Sequence, residues 1–191
     1  MTLHRSEFSS DDLSVIISDL LVATADASDA LVDGSVAEVL SLLRERLSMD
    51  VVFVSQFVDG RRVFRFVDAG RAASPVQVGD SDPLEQSFCK FVVEGRLPQA
   101  IPDMAALPPV DGLPQPPMRI GAHLSTPIVL KDGTVYGTLC CFSSSPNPAL
   151  QQRELTQLRH CAQLVARKLE LAAREPERPG AAEWTLQPLQ R

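Results

Sequence analysis

Cysteine and aromatic residues are scarce in this chain, which holds four cysteines and an aromatic fraction of only 5%. No two cysteines form a CxxC pair, so the spacing typical of zinc and dithiol redox sites is missing. The sequence also lacks an apolar run of the ~20 residues that a transmembrane helix needs. Residues 1–10 lack the apolar centre of a secretory signal. We therefore expect a cytoplasmic protein whose thiols are free.

The sequence motifs of several common enzyme classes are absent as well. There is no GxxxxGKS/T or GxGxxG loop for phosphates, no HExxH zinc site and no GxSxG nucleophile turn. The formal net charge of −6 disfavours binding to nucleic acids or anionic membranes, because both are themselves negatively charged. With a hydrophobic fraction of 45%, the chain is instead typical of a globular domain.

Amphipathic periodicity predicts helices towards both ends of the chain. Apolar residues at helical spacing indicate one helix over residues 11–31 and another over residues 35–48. A break at the Asp-Gly-Ser sequence around Gly34 separates them. A third apolar stripe predicts a long helix over residues 148–173.

Two hairpins supply the predicted strands. Residues 51–58 and 62–67 are rich in β-branched and aromatic side chains, as are residues 123–130 and 134–143. An Asp-Gly dipeptide lies in the turn of each hairpin, and such pairs tolerate the backbone of a tight reversal. Side-by-side pairing of the two hairpins gives one antiparallel sheet.

The segment between the hairpins combines loops with one short helix. Residues 68–82 are rich in Gly, Ala, Ser and Asp and predict a loop. A helix is expected from Pro83, which suits a first helical position, to Gly95, which suits a helix end. Five prolines in residues 104–119 predict a second, irregular loop.

These elements predict an α+β fold built on one antiparallel sheet. The terminal helices cover one face of the sheet, and the middle helix with its loops covers the other. Residues 11–173 form a single domain in this prediction, preceded by a flexible N-terminus over residues 1–10. Prolines and a glycine in residues 174–191 predict a mobile C-terminal tail.

The second hairpin carries a recognisable pattern. Pro127-Ile128 in one strand is followed, after the turn, by a Gly-x-Leu sequence that begins at Gly137. This pattern resembles the signature hairpin of GAF domains, and the resemblance extends over residues 30–172. Residues 87–103 further resemble a bacterial subset of the family that is often attached to cyclic-di-GMP phosphodiesterase or cyclase domains.

The resemblance implies a GAF-like, PAS-related fold, with helices on one face of the sheet and a loop-rich pocket cover on the other. It also implies dimerisation through the terminal helices and a non-catalytic role as a small-molecule-sensing or regulatory domain in bacterial signal transduction. Two alternatives stay open. The chain is a GAF-like thiol enzyme or redox sensor acting through Cys89, or an interaction scaffold whose pocket is filled by its own side chains.

Four residues are candidates for ligand contacts in the implied pocket: Cys89, Asp103, Arg119 and His123. Cys89, in the predicted middle helix, is either a reactive thiol or a small buried packing residue. Arg119 either clamps an anionic group of a ligand or ties its loop to an acidic residue. Asp103 contacts the ligand or caps the following turn, and His123 contacts it or is a half-buried structural histidine.

Departures from specialised GAF domains argue against a cofactor or a metal. The loop before the second hairpin has Gln115 but no histidine, whereas haem-binding members have their axial histidine near there. Methionine sulfoxide reductases of this family carry thiols in the same loop, and residues 104–121 contain no cysteine. Bilin-binding members attach their pigment through a Cys-His pair, and here Cys89 is followed by Lys90. We therefore expect no catalytic residue, no metal and no cofactor.

The remaining cysteines are expected to differ in what they face. Cys140 and Cys141 are adjacent in a predicted strand, so their side chains point to opposite faces of the sheet. At most one of them faces the pocket, and the two cannot share a metal ion. Cys161 lies on the core side of the last predicted helix and is expected to pack there.

Leu164 and Leu171 lie outside the main apolar stripe of the last helix, seven residues apart, and so form one line along it. A second apolar line left in water is unfavourable, which together with the family resemblance predicts a homodimer through the terminal helices. In the alternative, both leucines pack against the first helix of their own chain. The other partners we expect are an unknown small molecule and a signalling protein bound in trans, with no nucleic acid and no membrane.

Overall fold

The computed structural model describes residues 29–70 and 74–173. The predicted terminal segments 1–10 and 174–191, and most of the predicted helix over residues 11–31, lie outside these described residues. None of the helices in the described part is long and apolar enough to cross a membrane.

The described residues form one six-stranded sheet with helices on it. In chain order, the elements are α1 (Asp29–Leu47), β1 (Val51–Val58), β2 (Arg61–Asp68), β3 (Ser81–Pro83), α2 (Phe88–Val93), β4 (Ala100–Ile101), β5 (Ala122–Val129), β6 (Val135–Ser143) and α3 (Gln152–Ala172). The strand order is β3-β2-β1-β6-β5-β4, and each neighbouring pair is antiparallel. The predicted α+β class and the antiparallel sheet are confirmed, because β1 and β6 join the two hairpins edge to edge.

Helices α1 and α3 contact each other and pack on the same face of the sheet. Leu43 from α1 and Leu158 from α3 meet Leu139 of the sheet in one buried core. Burying a leucine side chain contributes about 2 kcal/mol by the area that it removes from water. For the described residues, the prediction that the flanking helices share one side of the sheet is therefore confirmed.

The predicted helix break around Gly34 is wrong. A single helix α1 runs from Asp29 to Leu47, and its side chains are described from Val36 onwards. A glycine inside a helix costs about 1 kcal/mol relative to alanine. Burial of Leu40 and Leu43 against the sheet outweighs this cost, because packing rather than propensity supplies most helix stability in proteins.

Helix α3 begins a few residues later than the predicted start at residue 148. Gln151 is its N-cap and forms a capping box with Glu154, whose carboxylate accepts a hydrogen bond from the Gln151 backbone N–H at 3.0 Å. The capping box satisfies backbone donors that the start of a helix leaves unpaired, so this pair of side chains determines where the helix begins.

The middle segment differs most from its prediction. Residues 81–83, expected to join a loop to a helix, form strand β3, which extends the sheet beside β2. The helix does not begin at Pro83 but at Phe88, after a short 3₁₀ turn. Ser87 has an extended backbone and is the N-cap, because its Oγ accepts a hydrogen bond from the Lys90 N–H at 3.3 Å.

A β-bulge in β2 determines which of its side chains face each layer. Val54 pairs with Phe66 and Ser55 pairs with Phe64, so Arg65 is an extra residue on β2. An inserted residue reverses the alternation of side chains along a strand. Phe66 therefore packs towards the helices, whereas Phe64 packs on the opposite face of the sheet.

Gly137 lies where β1 and β6 approach each other closely. It pairs with Gln56, and a Cβ atom built on it would lie 1.9 Å from the Ser55 carbonyl oxygen. No real Cβ atom tolerates such a contact, so the Gly-x-Leu pattern of the second hairpin has a steric origin here. The strand pair at the centre of the sheet depends on this glycine.

We expect Gly137→Ala to lower the free energy of unfolding by about 3 kcal/mol or more, because the two central strands must separate to admit the methyl group. Urea denaturation measures the loss. Gly133→Ala in the same hairpin is the control: its Cβ would meet nothing within 4 Å, but its φ of 83° makes alanine cost about 1 to 2 kcal/mol. Equal losses in the two variants would contradict the steric explanation.

Candidate functional site

A cavity of about 440 Å³ lies between the sheet and the middle segment, on the face opposite to α1 and α3. Its volume is within the range of ~300–1,000 Å³ that small-molecule sites usually occupy. Four strands, β1, β2, β5 and β6, contribute Phe53, Arg62, Phe64, His123, Cys140 and Phe142 to its lining. The loops that cover it contribute Val76, Pro116, Pro117 and Met118.

Three phenylalanines form an apolar floor for the cavity. Phe53 lies between the other two, with ring centroids 4.9 Å from Phe64 and 6.3 Å from Phe142, both in edge-to-face geometry. They come from three neighbouring strands, β2, β1 and β6. Edge-to-face contacts hold aromatic rings in fixed orientations, so the floor is formed before any ligand binds.

Arg62 is the charged residue of this floor, and only 14% of its side chain is exposed. Its Nε donates to Asp82 Oδ1 at 3.0 Å, and its Nη2 forms a close ion pair with the other carboxylate oxygen. Its Nη1 donates to the sulfur of Cys89 at 3.2 Å. The guanidinium carbon also lies 4.8 Å from the centre of the Phe64 ring, which adds a cation–π contact.

The charges around Arg62 have a clear electrostatic effect. Burial alone would lower its pKa, yet the pKa of Arg62 lies above its ordinary value because the negative charges of Cys89 and Asp82 surround it. Strand β3 supplies Asp82 directly opposite Arg62 across the strand pair. The arginine is thus permanently charged and held in one orientation.

Cys89 is fully buried and is the second residue of α2, rather than a mid-helix residue as predicted. Its pKa lies well below the ordinary value, first because the Cys140 thiol hydrogen-bonds its sulfur, and also because Arg62 and His123 favour the thiolate against the opposing effect of burial. Burial and the neighbouring Cys89 raise the pKa of Cys140 well above its ordinary value. Of the two thiols, that of Cys89 is therefore the more acidic.

His123 is fully buried, so the expectation of a half-buried histidine is wrong. Strand β4 pairs with it through Ile101, and Phe88 of α2 packs edge-to-face on its ring at 5.7 Å between centroids. Its Nε2 lies 3.2 Å from the sulfur of Cys140. Within the described part of the chain, its Nδ1 has no hydrogen-bond partner.

The structure brings together two of the four predicted site residues, Cys89 and His123. Asp103 caps the 3₁₀ turn that follows it, accepting a hydrogen bond from the Ala105 N–H at 2.9 Å, and it does not line the cavity. Arg119 is exposed and lines a separate cavity of about 550 Å³ under the proline-rich loop. No group of three or more His, Cys, Asp or Glu side chains in the described residues is arranged to hold a metal ion.

Sequence reasoning missed Arg62, Asp82 and Cys140 as site residues. The available signal for Arg62 was a cation within a strand of apolar residues, but the partner that neutralises it comes from an unpredicted strand. The expectation that Cys140 and Cys141 face opposite sides is confirmed, since Cys140 lines the cavity and Cys141 packs in the helix-side core. Cys161 is buried in that same core, as predicted.

The family model of the GAF domain matches residues 33–169 of the chain, which is more than half of its length. No curated protein sequence matches the chain at a significant level.

Several solved structures resemble the chain at low sequence identity. The GAF domain from Acinetobacter phosphoenolpyruvate-protein phosphotransferase is 15% identical, with a TM-score of 0.64 over 89% of this chain and 99% of that one. The free methionine-R-sulfoxide reductase from Neisseria meningitidis, solved with its substrate, is 15% identical, with a TM-score of 0.62 over 90% and 97%. The phycoerythrobilin-bound GAF domain of a cyanobacterial phytochrome is 14% identical, with a TM-score of 0.65 over 87% and 97%. At such identities, these likenesses establish the fold alone.

We expect Arg62→Met to raise the pKa of Cys89, because the thiolate loses its neighbouring cation. The ultraviolet absorbance of the thiolate, followed against pH, should then appear at higher pH than in the wild type, and Cys89→Ser identifies the transition by removing it. Arg61→Met is the matched control, since Arg61 is exposed on the same strand and bonds Ser81 instead. A shift of similar size in both variants would contradict the contact.

The contact between Arg62 and Cys89 also predicts how the free energy of unfolding changes with pH. A thiol whose folded-state pKa is lowered stabilises the fold fully above its unfolded value, here an ordinary 9.0, and progressively less as the pH falls towards the folded value. The free energy of unfolding of the wild type should therefore rise relative to that of Arg62→Met as the pH increases up to about 9.

Proposed function

Because the chain belongs to the GAF domain family, we propose that it is a small-molecule-sensing regulatory domain of bacterial signal transduction, acting in the cytoplasm. The observation that supports this function is the cavity above Phe53, Phe64 and Phe142. It combines an apolar floor with one fixed cation, Arg62, and a cover made of loops. Such a site binds a small molecule by shape and orients it by a few polar groups.

The lining of the cavity favours a particular kind of ligand. The phenylalanine floor and a cover that includes Pro117 and Met118 suit a flat, largely apolar or aromatic body. One continuous segment, residues 80–82, also lines the wall, and it carries the carboxylates of Asp80 and Asp82. Carboxylates accept hydrogen bonds, so the ligand that fits this wall carries hydrogen-bond donors beside its apolar body.

The groups of the cavity are arranged for binding rather than for turnover. Three donors of Arg62 already contact Asp82 and Cys89. The most acidic thiol, that of Cys89, is not itself among the residues that line the cavity. A nucleophile has to reach the reacting atom of its substrate, and we therefore propose a non-catalytic domain.

A binding test follows from two neighbouring valines in the loop after β2. Val76 lines the cavity and packs on its apolar cluster, whereas Val78 is 63% exposed. We expect Val76→Trp to abolish ligand retention because the indole fills the cavity, and Val78→Trp to retain ligand like the wild type. Native mass spectrometry of protein purified from bacterial cells detects a retained molecule, and a thermal shift with the small-molecule fraction of a bacterial lysate detects rebinding.

Two outcomes would contradict the proposed ligand site. In one, the wild type neither retains a molecule nor gains thermal stability from the lysate fraction. In the other, Val76→Trp binds as well as Val78→Trp, which would show that the molecule binds elsewhere.

We also propose that the domain works as a homodimer through its terminal helices and passes its signal to a signalling protein bound in trans. Leu164 packs partly against the core of its own chain, so the alternative of intrachain packing explains that residue. Leu171 is 48% exposed on α3. Burying it at a partner would contribute up to ~2 kcal/mol, and α1 on the same face adds to the available surface.

Leu171→Glu should therefore shift the dimer towards monomer, because two carboxylates would be buried in the seam, while the free energy of unfolding of the monomer changes little. Light scattering across a concentration series measures the change. Gln152→Glu, an exposed position at the other end of α3, should leave the dimer intact. A wild type that stays monomeric at high micromolar concentration would contradict the assembly.

A further inference from the structure

Two thiols from distant parts of the chain are in contact at the wall of the cavity. Cys89 comes from α2 and Cys140 from the central strand β6, and both are buried in one cluster with Phe53 and Phe142. The Cys140 thiol hydrogen-bonds the Cys89 sulfur. Cys140 lines the cavity, whereas Cys89 lies behind it.

Each sulfur of the pair has its own polar partner. Arg62 Nη1 lies 3.2 Å from the sulfur of Cys89, where a cation stabilises a thiolate. His123 Nε2 lies 3.2 Å from the sulfur of Cys140. The cavity wall therefore brings together the sulfurs of Cys89 and Cys140 and the imidazole of His123.

The other two cysteines provide an internal comparison. Cys141 and Cys161 are also buried, but in the helix-side core, and burial raises the pKa of both, to about 12 for Cys161. Burial without a cation makes a thiol inert. The environment of Cys89 and Cys140 is therefore a local feature of the cavity wall rather than a general property of buried cysteines in this fold.

We propose that Cys89 and Cys140 form a reversible disulfide when a hydroperoxide enters the cavity, so that the ligand site is regulated by oxidation. This inference rests on the proposed function, since it concerns the control of the same cavity. The cavity gives a small peroxide access to Cys140, which lines it. Cys89 then acts as the second sulfur.

The chemistry proceeds in two steps. The Cys140 thiol first passes its proton to the neighbouring Cys89 thiolate, because the thiolate is the nucleophilic form. The Cys140 sulfur then attacks the terminal oxygen of the hydroperoxide, the O–O bond breaks, and the proton moves from Cys89 to the departing oxygen, which leaves as an alcohol or water. Cys140 is now a sulfenic acid. The Cys89 thiolate attacks its sulfur, an S–S bond forms, and the hydroxide displaced from the sulfenic acid is protonated by the solvent to water. The peroxide gains two electrons, one from each sulfur, and a thiol reductant reverses the change.

Disulfide formation alters the binding site through Arg62. The thiolate that accepts from Arg62 Nη1 loses its negative charge, and Asp82 remains as the only carboxylate that is ion-paired to that guanidinium among the described residues. A donor of Arg62 then becomes available to the cavity. The oxidised domain is expected to bind a ligand rich in hydrogen-bond donors more weakly than the reduced one.

The disulfide can be mapped directly by treating the protein with hydrogen peroxide, alkylating the remaining thiols under denaturing conditions and identifying linked peptides by mass spectrometry. Because Cys140 and Cys141 are adjacent, the mapping uses Cys141→Ser as well as the wild type. We expect a Cys89–Cys140 link that dithiothreitol removes, while Cys161 stays alkylatable. In Cys89→Ser, Cys140 should instead accumulate as a sulfenic acid that dimedone labels. In Cys140→Ser, oxidation of Cys89 should slow at least ~10-fold, because the thiol that lines the cavity is gone.

The peptide mapping can overturn the proposed disulfide in two ways. A link between other cysteines, or thiols that all stay reduced under peroxide while the wild type is folded, would overturn it, and this mapping remains valid even if a variant fails to fold. Ligand retention by the reduced protein is a separate measurement. A linked protein that retains no molecule would refute the sensing function alone, and a retained molecule without the link would refute the disulfide alone.

Discussion

The buried guanidinium of Arg62 is the interaction on which the cavity depends. Removing an ion from water costs several kcal/mol unless other groups compensate it, and here the compensation comes from Asp82, Cys89 and two aromatic rings. Asp82 belongs to β3 and Cys89 to α2, so the same cation ties a short edge strand and a short helix to the sheet. Neither element is long enough to be stable alone. The wall of the site is thus organised by one charge.

A single inserted residue makes this arrangement possible. Without the bulge at Arg65, the strict alternation of β2 would place Phe64 on the same side as Phe66, towards the helices. With it, Arg62 and Phe64 both face the cavity, while Phe66 remains in the helix-side core. The bulge therefore gives the two faces of the sheet different side chains. On one face, mainly aliphatic side chains pack against α1 and α3. On the other face, aromatic rings, the guanidinium of Arg62 and a thiol line the cavity.

Periodicity and turn chemistry predicted the scaffold, because the hairpins and α3 are specified by local patterns that the sequence carries within each element. The errors occurred where tertiary contacts override local preference. Helix α1 continues through Gly34 because it packs on the sheet, and α2 begins at Phe88, after its N-cap Ser87, rather than at Pro83. The site was predicted only in part, because Arg62 needs a partner from β3, a strand of three residues with no pattern of its own. Cys89 and His123 were identified as candidates, but their contacts with Cys140 depend on the register between β5 and β6 and on the packing of α2 against the sheet.

The composition of the cavity wall is itself an argument that it does more than fill space. Replacing a buried ion pair with aliphatic side chains of similar volume is often neutral or stabilising. The helix-side core of this domain is of that aliphatic kind, with residues such as Leu139 and Leu158. A wall chosen for stability alone would resemble that core. Instead, an arginine, an acidic thiol, a second thiol and a buried histidine occupy adjacent positions, each partly satisfied by the next. Each member of this network contacts the next, so a change at one sulfur alters the partners of Arg62 and with them the wall of the cavity.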